Sequence, residues 1–383
     1  MKHLSHPSTS LAGHDRASLA RWLVPRGATE AEAERAATRA LRTAFRGPRP
    51  DALGTAQPEP PPGCAWDAAT LQAASVPSRA RAALLELSPA PCLELVERAP
   101  SADGATRLLF RTWDGRLIES VIIPATAERP RPRTTLCVSS QVGCARACSF
   151  CETGVHGLER HLHTAEMVDQ YRIARALPQA AAAPISSIVF MGMGEPFDNL
   201  DAVLRAVELL CEPYAFAFAP SHVTVSTVGV ADKIAVFFAR TRAELAVSLN
   251  APDDARRTRI MPVGARFDLA SLHRAIVEAL PRGRRILFQY ALFAGYNDAP
   301  ADAELLASFV QGIRCRVNVI PANPGPDTAL TTPSDERVDA FVAALRSRGV
   351  RTLVRKPRGR DVGGACGQLA GARRRASLPV VRG

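Results

Sequence analysis

The chain is 383 residues long, 47% of them apolar and 22% charged, the make-up of a folded protein with a large core. That length accommodates roughly two to three domains, and no run reaches the ~18 consecutive apolar residues of a membrane-spanning helix. A formal net charge of +11 points to a polyanionic partner.

The opening stretch MKHLSHPSTSLAGHDRASLARWL lacks the apolar core of a secretory signal, so a cytoplasmic protein with reduced thiols is expected. Residues 15–45 space apolar side chains three and four apart behind acidic start signals, which predicts a helical region. The Pro- and Gly-rich run 47–63 reads as a linker, and a second helical piece follows near 68–86. Alternation in TRLLFRTWDGRLIESVIIP around Asp114-Gly115 predicts a β-hairpin at 106–124.

From 134 onward come six strand-like runs: TTLCVSS, SSIVFMGM, VTVSTVG, ELAVSLNA, ILFQYALF and RVNVIPAN. Helical stretches separate them near 164–177, 200–211, 231–240, 269–280 and 300–312. Nearly continuous apolar strands alternating with helices imply parallel βαβ units and an α/β fold. Six units suit a partial (β/α)6 barrel. An open dinucleotide-binding sheet is the alternative, but no G-x-G-x-x-G follows the first strand. The expected division is a helical unit with linker over 1–95, a β-rich connector over 96–133, the barrel over 134–355 and a basic segment over 356–383. The strand ends carry Met193-Gly194-Glu195-Pro196, Ser226-Thr227, Ser248-Leu249-Asn250 and Pro321-Ala322-Asn323, which a barrel would gather on one face.

Four of the nine cysteines crowd into CVSSQVGCARACSFC. Cys144, Cys148 and Cys151 read C-x3-C-x2-C, and Cys137 lies outside that spacing. The other five, Cys64, Cys92, Cys211, Cys315 and Cys366, are scattered singly, which does not suit a disulfide framework. Structural zinc wants four ligands, usually as two CxxC pairs, and no second pair exists. Iron–sulfur ligation is the better reading. A 4Fe-4S cluster takes four thiolates when it only carries electrons, and three leave one iron open for another ligand.

The cysteine triplet after the first strand, together with MGMGEP at 191–196, resembles the radical S-adenosylmethionine (SAM) superfamily. That resemblance implies that the open iron binds the amino and carboxylate groups of SAM. An electron then splits SAM to a 5′-deoxyadenosyl radical, and the glycine turn meets the SAM amino group with its backbone. The stretches CVSSQVGC, FCETG, MGMGEPFDN, VTVSTVG, LAVSLNA, VNVIPANP and GRDVGGACGQLAG, in that order, closely resemble the RlmN/Cfr family of radical SAM RNA methyltransferases. The likeness runs from about 105 to 370. More weakly, RWLVPRGATEAEA is similar to that family's helical RNA-contacting domain.

Membership would imply that a methyl group is first parked on Cys366, within ACGQL, and loses a hydrogen atom to the radical. The methylene radical adds to the adenine, and Cys137 then attacks the Cys366 sulfur, forming a disulfide and releasing the methylated base. A glutamate of this family takes the proton from the modified carbon, and the match of IESVIIP assigns it to Glu119. By the same matching, SAM contacts fall on Gly194, Glu195, Ser226, Ser248, Leu249, Asn250 and Asn323. The implied target is an adenosine ring carbon: C2 of a 23S rRNA adenosine, by prevalence in the family, and also a tRNA. C8 methylation or another RNA remains open. A non-catalytic iron–sulfur RNA-binding protein is a third reading, against which the presence of both Cys137 and Cys366 weighs, since binding needs neither.

The implied partners are RNA and a reductant such as flavodoxin or ferredoxin, with no membrane, for a monomer. From Arg346 onward eleven Arg and Lys residues stand against Asp361 alone, and these with the N-terminal helices would hold RNA phosphates. The chain departs from the family pattern at Asn250, where His is usual, at Gln289 for Glu, at His161 within Arg160-His161-Leu162, and at Glu152 for a small residue.

Overall fold

The computed structural model describes residues 4, 6–46, 67–124, 133–178, 180, 183–322 and 329–369. The linker at 47–63, Cys64, Asn323 and the basic residues from Arg373 onward lie outside them.

The expected helical region is two helices. Arg16–Leu23 begins at Asp15, whose carboxylate accepts the Ser18 N–H at 2.7 Å. It ends in a short turn at Gly27, with φ +98°. Glu30–Leu41 starts with a Thr29/Glu32 capping box and buries Ala33, Ala36, Ala37, Ala40 and Leu41. Short helices Ala68–Ala73 and Ser78–Leu84 complete this unit. It packs on helix Thr164–Arg175, where Arg175 donates to the Phe45 carbonyl and Arg172 to that of Pro89.

One ten-stranded sheet holds the rest: β1 (Leu93–Pro100), β2 (Thr106–Thr112), β3 (Leu117–Ile123), β4 (Thr134–Val138), β7 (Ile185–Phe190), β8 (Val223–Thr227), β9 (Glu244–Ser248), β10 (Ile286–Leu292), β11 (Cys315–Pro321) and β12 (Thr352–Val354), in that spatial order. β1 to β4 pair antiparallel, and β4 through β12 are parallel. All six expected barrel strands are present. β12 adds a seventh, too short at three residues for any periodicity to reveal. β1 also escaped the pattern. It is an edge strand that exposes Val96, Arg98 and Pro100 and carries the charged Glu94, Glu97 and Arg98, as edges require. A separate hairpin, β5 (Gln141–Gly143) with β6 (Leu158–His161), closes the neck of the cysteine loop. Cys144 N–H donates to Gly157 O there, and a Cβ on Gly143 would stand 2.0 Å from that oxygen.

The register sorts each strand into two faces. Leu136, Ile188, Val225 and Leu245 sit in the apolar layer with the helices. The opposite face carries Cys137 beside Val189, Ser226 beside Ala246, and Ser248 beside Gln289, itself beside Asn318. Polar residues therefore line the concave side, near the strands' C-terminal ends. Among the described residues no helix is long and apolar enough to cross a membrane.

Candidate active site

Two adjoining clefts open at the C-terminal ends of the strands. The first, about 490 Å³, is walled by Cys144, Cys148 and Cys151 on one side and by Gly192, Gly194 and Glu195 on the other. The second, about 570 Å³ and open to solvent, includes Gln289, Phe293, Ile320, Pro357 and Cys366. Phe150, Ser248 and Asn250 line both and form the boundary. Phe150 is braced by Phe293, ring centres 5.4 Å apart.

The three cysteines sit in a loop wound on itself: Cys151 N–H donates to Cys148 O at 3.0 Å and Gly154 N–H to Cys151 O. Burial pushes the Cys144 thiol up to about 12 and Cys148 well above its ordinary value, and neighbouring thiolates add to both. Thiols placed to oppose each other's ionisation suit a cationic group that ligates all of them. Three thiolates leave one corner of a 4Fe-4S cluster open, whereas structural zinc takes four protein ligands. Cys148→Ala is accordingly expected to lose iron and the iron–sulfur absorbance. 5′-Deoxyadenosine formation should fall by about three orders of magnitude, the scale of deleting an essential group. Retention of either signal at wild-type level would refute the ligand assignment.

The glycine turn is fixed by Gln141, which sequence analysis passed over. Its side-chain oxygen accepts the Glu195 N–H at 2.7 Å, and its amide lies 2.9 Å from His161 Nδ1. Gly194 has φ +101°, and a Cβ there would come 2.6 Å from Gln141 Cβ, so only glycine fits. The departure at His161 thus supports the turn from behind.

Glu195 lines the cleft, but its carboxylate is committed, accepting N–H bonds from Phe197 at 2.9 Å and Val228 at 2.8 Å. Burial nevertheless pushes its carboxyl up to about 7. The folded protein then holds this proton more tightly than the unfolded chain. The stability it contributes is full below the ordinary glutamate range and is lost as pH rises through about 7. Wild type is therefore expected to lose more thermal stability than Glu195→Ala between about pH 5 and about pH 8. Parallel melting curves would show that Glu195 is not the group responsible.

The remaining expected SAM contacts divide. Ser248 and Asn250 line both clefts. Asn250 adopts φ +56°, a left-handed conformation that asparagine tolerates, while its side chain accepts the Ala291 N–H at 2.8 Å. Ser226 lies on the concave face and lines neither cleft. The Leu249 side chain is buried in the apolar core, and its N–H is given to Gln289 O. Gln289 meets Met191 Sδ at 3.2 Å.

Cys137 is buried and Cys366 exposed, yet the two lie close enough for the charge of Cys366 to act on Cys137. Burial pushes Cys137 up to about 12, with the Cys366 charge adding to the rise and Arg355 opposing it. Cys366 charge acts on Cys151 as well. The segment bearing Cys366 is laid onto the cysteine loop: Glu152 N–H donates to Gly367 O at 2.7 Å, and Thr153 Oγ1 to Leu369 O at 2.6 Å. Its other end is tied to the antiparallel strands through Asp361 with Ser101, and Gly359 N–H with Asp103. Glu152 therefore stands where backbone pairing, not side-chain size, is at stake.

Glu119 shares a sheet face with Val121 and hence with Cys137, across β3 and β4. It is fully buried, ion-paired to Arg107 at 2.7 Å, and lines neither cleft. Arg107 also binds Glu97 at 2.6 Å and the Val362 carbonyl at 2.9 Å. Of the basic C-terminal residues, Arg346 and Arg358 donate to backbone carbonyls and Arg348 pairs with Glu304.

Comparison with known proteins agrees with this geometry. The Radical SAM superfamily pattern matches residues 138–306. A protein of Sorangium cellulosum, named probable RNA methyltransferase sce1580, is 62% identical over 95% of this chain and 88% of its own. The dual-specificity RNA methyltransferase RlmN of Anaeromyxobacter dehalogenans is 44% identical over 77% of this chain and 80% of its own. The chain belongs to the RlmN family of radical SAM RNA methyltransferases. The crystal structure of a radical SAM methyltransferase from Sphaerobacter thermophilus shares its fold, with a TM-score of 0.76 and 36% identity across 94% of this chain and 99% of that one. RlmN-family membership implies a 4Fe-4S cluster and SAM, which the thiol trio and the glycine-walled cleft fit.

Proposed function

We propose that this enzyme methylates a ring carbon of an RNA adenosine, most specifically C2 of a 23S rRNA adenosine and of a tRNA, through methylated Cys366. The observation that carries this is that Cys366, at the edge of one cleft, stands close enough to act on Cys137 and on Cys151 of the adjoining cysteine-walled cleft, though it is far from both in the chain. An RNA-binding protein without turnover needs neither Cys137 nor Cys366. When bound, the cluster and SAM supply a carbon-centred radical by one-electron cleavage of the sulfonium.

The chain's own residues do the rest. The Cys366 thiolate takes a methyl group by displacement and holds it as a thioether at the edge of the open cleft, where an unpaired base can enter. Alkylation removes the charge beside Cys137, leaving Arg355 to favour the Cys137 thiolate against burial alone. That thiolate attacks the Cys366 sulfur once the carbon is bonded to the base. A sulfur–sulfur bond forms, the sulfur–carbon bond breaks, and the leaving electron pair goes to carbon, which takes a proton. Both sulfurs end oxidised, so an external dithiol must reset them. Glu119 accepts the proton from the modified ring carbon, on the sheet face of Cys137 and beneath the segment of Cys366. The N-terminal helices and the basic C-terminal residues would hold phosphates in a salt-sensitive manner. A cytoplasmic setting and a low-potential reductant such as flavodoxin or ferredoxin match this chemistry.

Nucleoside mass spectrometry of rRNA and tRNA from cells with and without the gene tests the assignment. The expected result is loss of 2-methyladenosine from the deletion strain. An unchanged 2-methyladenosine level with loss of 8-methyladenosine would replace C2 by C8, and no change in either would refute the proposal.

A further inference from the structure

Arg257 has no part in the methyl-transfer chemistry, yet it is among the largest side chains that are completely buried. It lies on helix Asp254–Ile260. Its Nη1 donates to Phe267 O at 2.7 Å and Nη2 to Val228 O at 2.8 Å. Its Nε–H meets no acceptor among the described residues. The acids whose field reaches it, Asp254 and Asp268, are both exposed; Asp254 accepts the Leu269 N–H and Asp268 caps helix Leu269–Ala279. A guanidinium does not shed its proton, so a full positive charge sits in a low-dielectric interior held by two neutral carbonyls. Buried charges are ordinarily paired.

Three features aim that charge at the cysteine cleft. Val228, whose carbonyl receives Nη2, lines the cleft together with Cys144, Cys148 and Cys151. Ser149 N–H donates to Ile260 O at 3.0 Å, stitching the helix of Arg257 into the loop between Cys148 and Cys151. Arg257 and Cys148 also lie close enough to act on each other's ionisation. The sequence makes room for the guanidinium: at Gly229, φ +97°, a Cβ would stand 2.8 Å from Nη2.

We infer that Arg257 is a redox-positioning residue whose unpaired buried charge stabilises the reduced form of the cluster held by Cys144, Cys148 and Cys151. This rests on the cluster reading given above. In the step concerned an external one-electron donor adds one electron to the cluster, and no bond is made or broken. The cluster becomes more negative by one unit, and its attraction to a fixed cation in a poorly screened interior grows by the same unit. The reduction potential is thereby raised toward the reach of the donor.

The test is an EPR-monitored redox titration, with dithionite, of the full-length protein reconstituted under anaerobic conditions. Arg257→Met removes the charge and keeps the bulk; Arg257→Lys keeps a charge. The methionine variant is expected to show a reduced-to-oxidised ratio about tenfold lower at any set potential, a midpoint about 59 mV more negative. The lysine variant should recover most of that shift. Equal midpoints at equal iron content would overturn the inference and leave Arg257 a mere clamp on the Val228 loop. If the methionine variant binds no cluster, Arg257→Gln and Arg257→Lys are compared at matched iron, and equal midpoints overturn it again. Wild-type protein without a cluster signal would defeat the cluster reading itself, a failure visible before any substitution is made.

Discussion

Protein carrying Cys137→Ala is expected to emerge from cells with RNA covalently attached at Cys366. Everything up to the bond between the Cys366 methylene and the base proceeds without Cys137. In the proposed relay only the release step requires a second sulfur within reach of the first, and Cys137, outside the cluster-binding trio, is a thiol whose ionisation Cys366 alters. Product formation should fall by about three orders of magnitude or more, the scale of removing a nucleophile from a concerted set. The adduct should be nuclease-sensitive, vanish in the Cys137→Ala/Cys366→Ala pair, and be absent from wild type. RNA-free Cys137→Ala protein with an intact cluster would refute the sulfur relay.

Arg107→Ala is expected to produce the largest loss of stability. Arg107 is 5% exposed, Glu119 is 0% exposed, and the two meet at 2.7 Å. Removing Arg107 takes this ion pair away from the buried Glu119 carboxylate, at about 3–5 kcal/mol. The same substitution removes the Arg107 bond to the Val362 carbonyl, one of the ties that hold the Cys366 segment over the sheet. Urea unfolding should register the loss, and Glu119→Gln in the Arg107→Ala background should recover part of it by deleting the buried charge. A cost within about 0.5 kcal/mol, typical of a surface substitution, would show that the pair contributes little.

The parts of the site that the sequence disclosed are those governed by local rules. The spacing of Cys144, Cys148 and Cys151 and the glycine turn at Gly194 are short-range arrangements that hold wherever they occur. The parallel strands announced themselves because strands buried on both faces read as unbroken apolar runs. What stayed hidden depends on partners distant in the chain. Nothing near IESVIIP says that Glu119 will lie against Arg107, because polar residues in alternating strands ordinarily face water. Leu249 belongs to a promising stretch, yet its side chain points into the core. Arg257 occurs in DARRTRI, a short polar helix that reads as surface, and only the room left at Gly229 hints otherwise. Asn250 departs from its family's usual residue, but its φ of +56° shows a backbone requirement that asparagine meets.

The unequal accessibility of two adjacent thiols also bears on survival in air. Cys366 stands in solvent while Cys137 lies covered beside it. A peroxide reaches Cys366 first, and the sulfenic acid it leaves finds a partner at once, so that loss of water joins the two sulfurs before further oxygen can be added. That product is the disulfide in which, by the proposed relay, each catalytic round would end. An accidental oxidation and a completed turnover are thus undone by the same dithiol, and the idle enzyme is shielded from irreversible damage by the arrangement that lets it work.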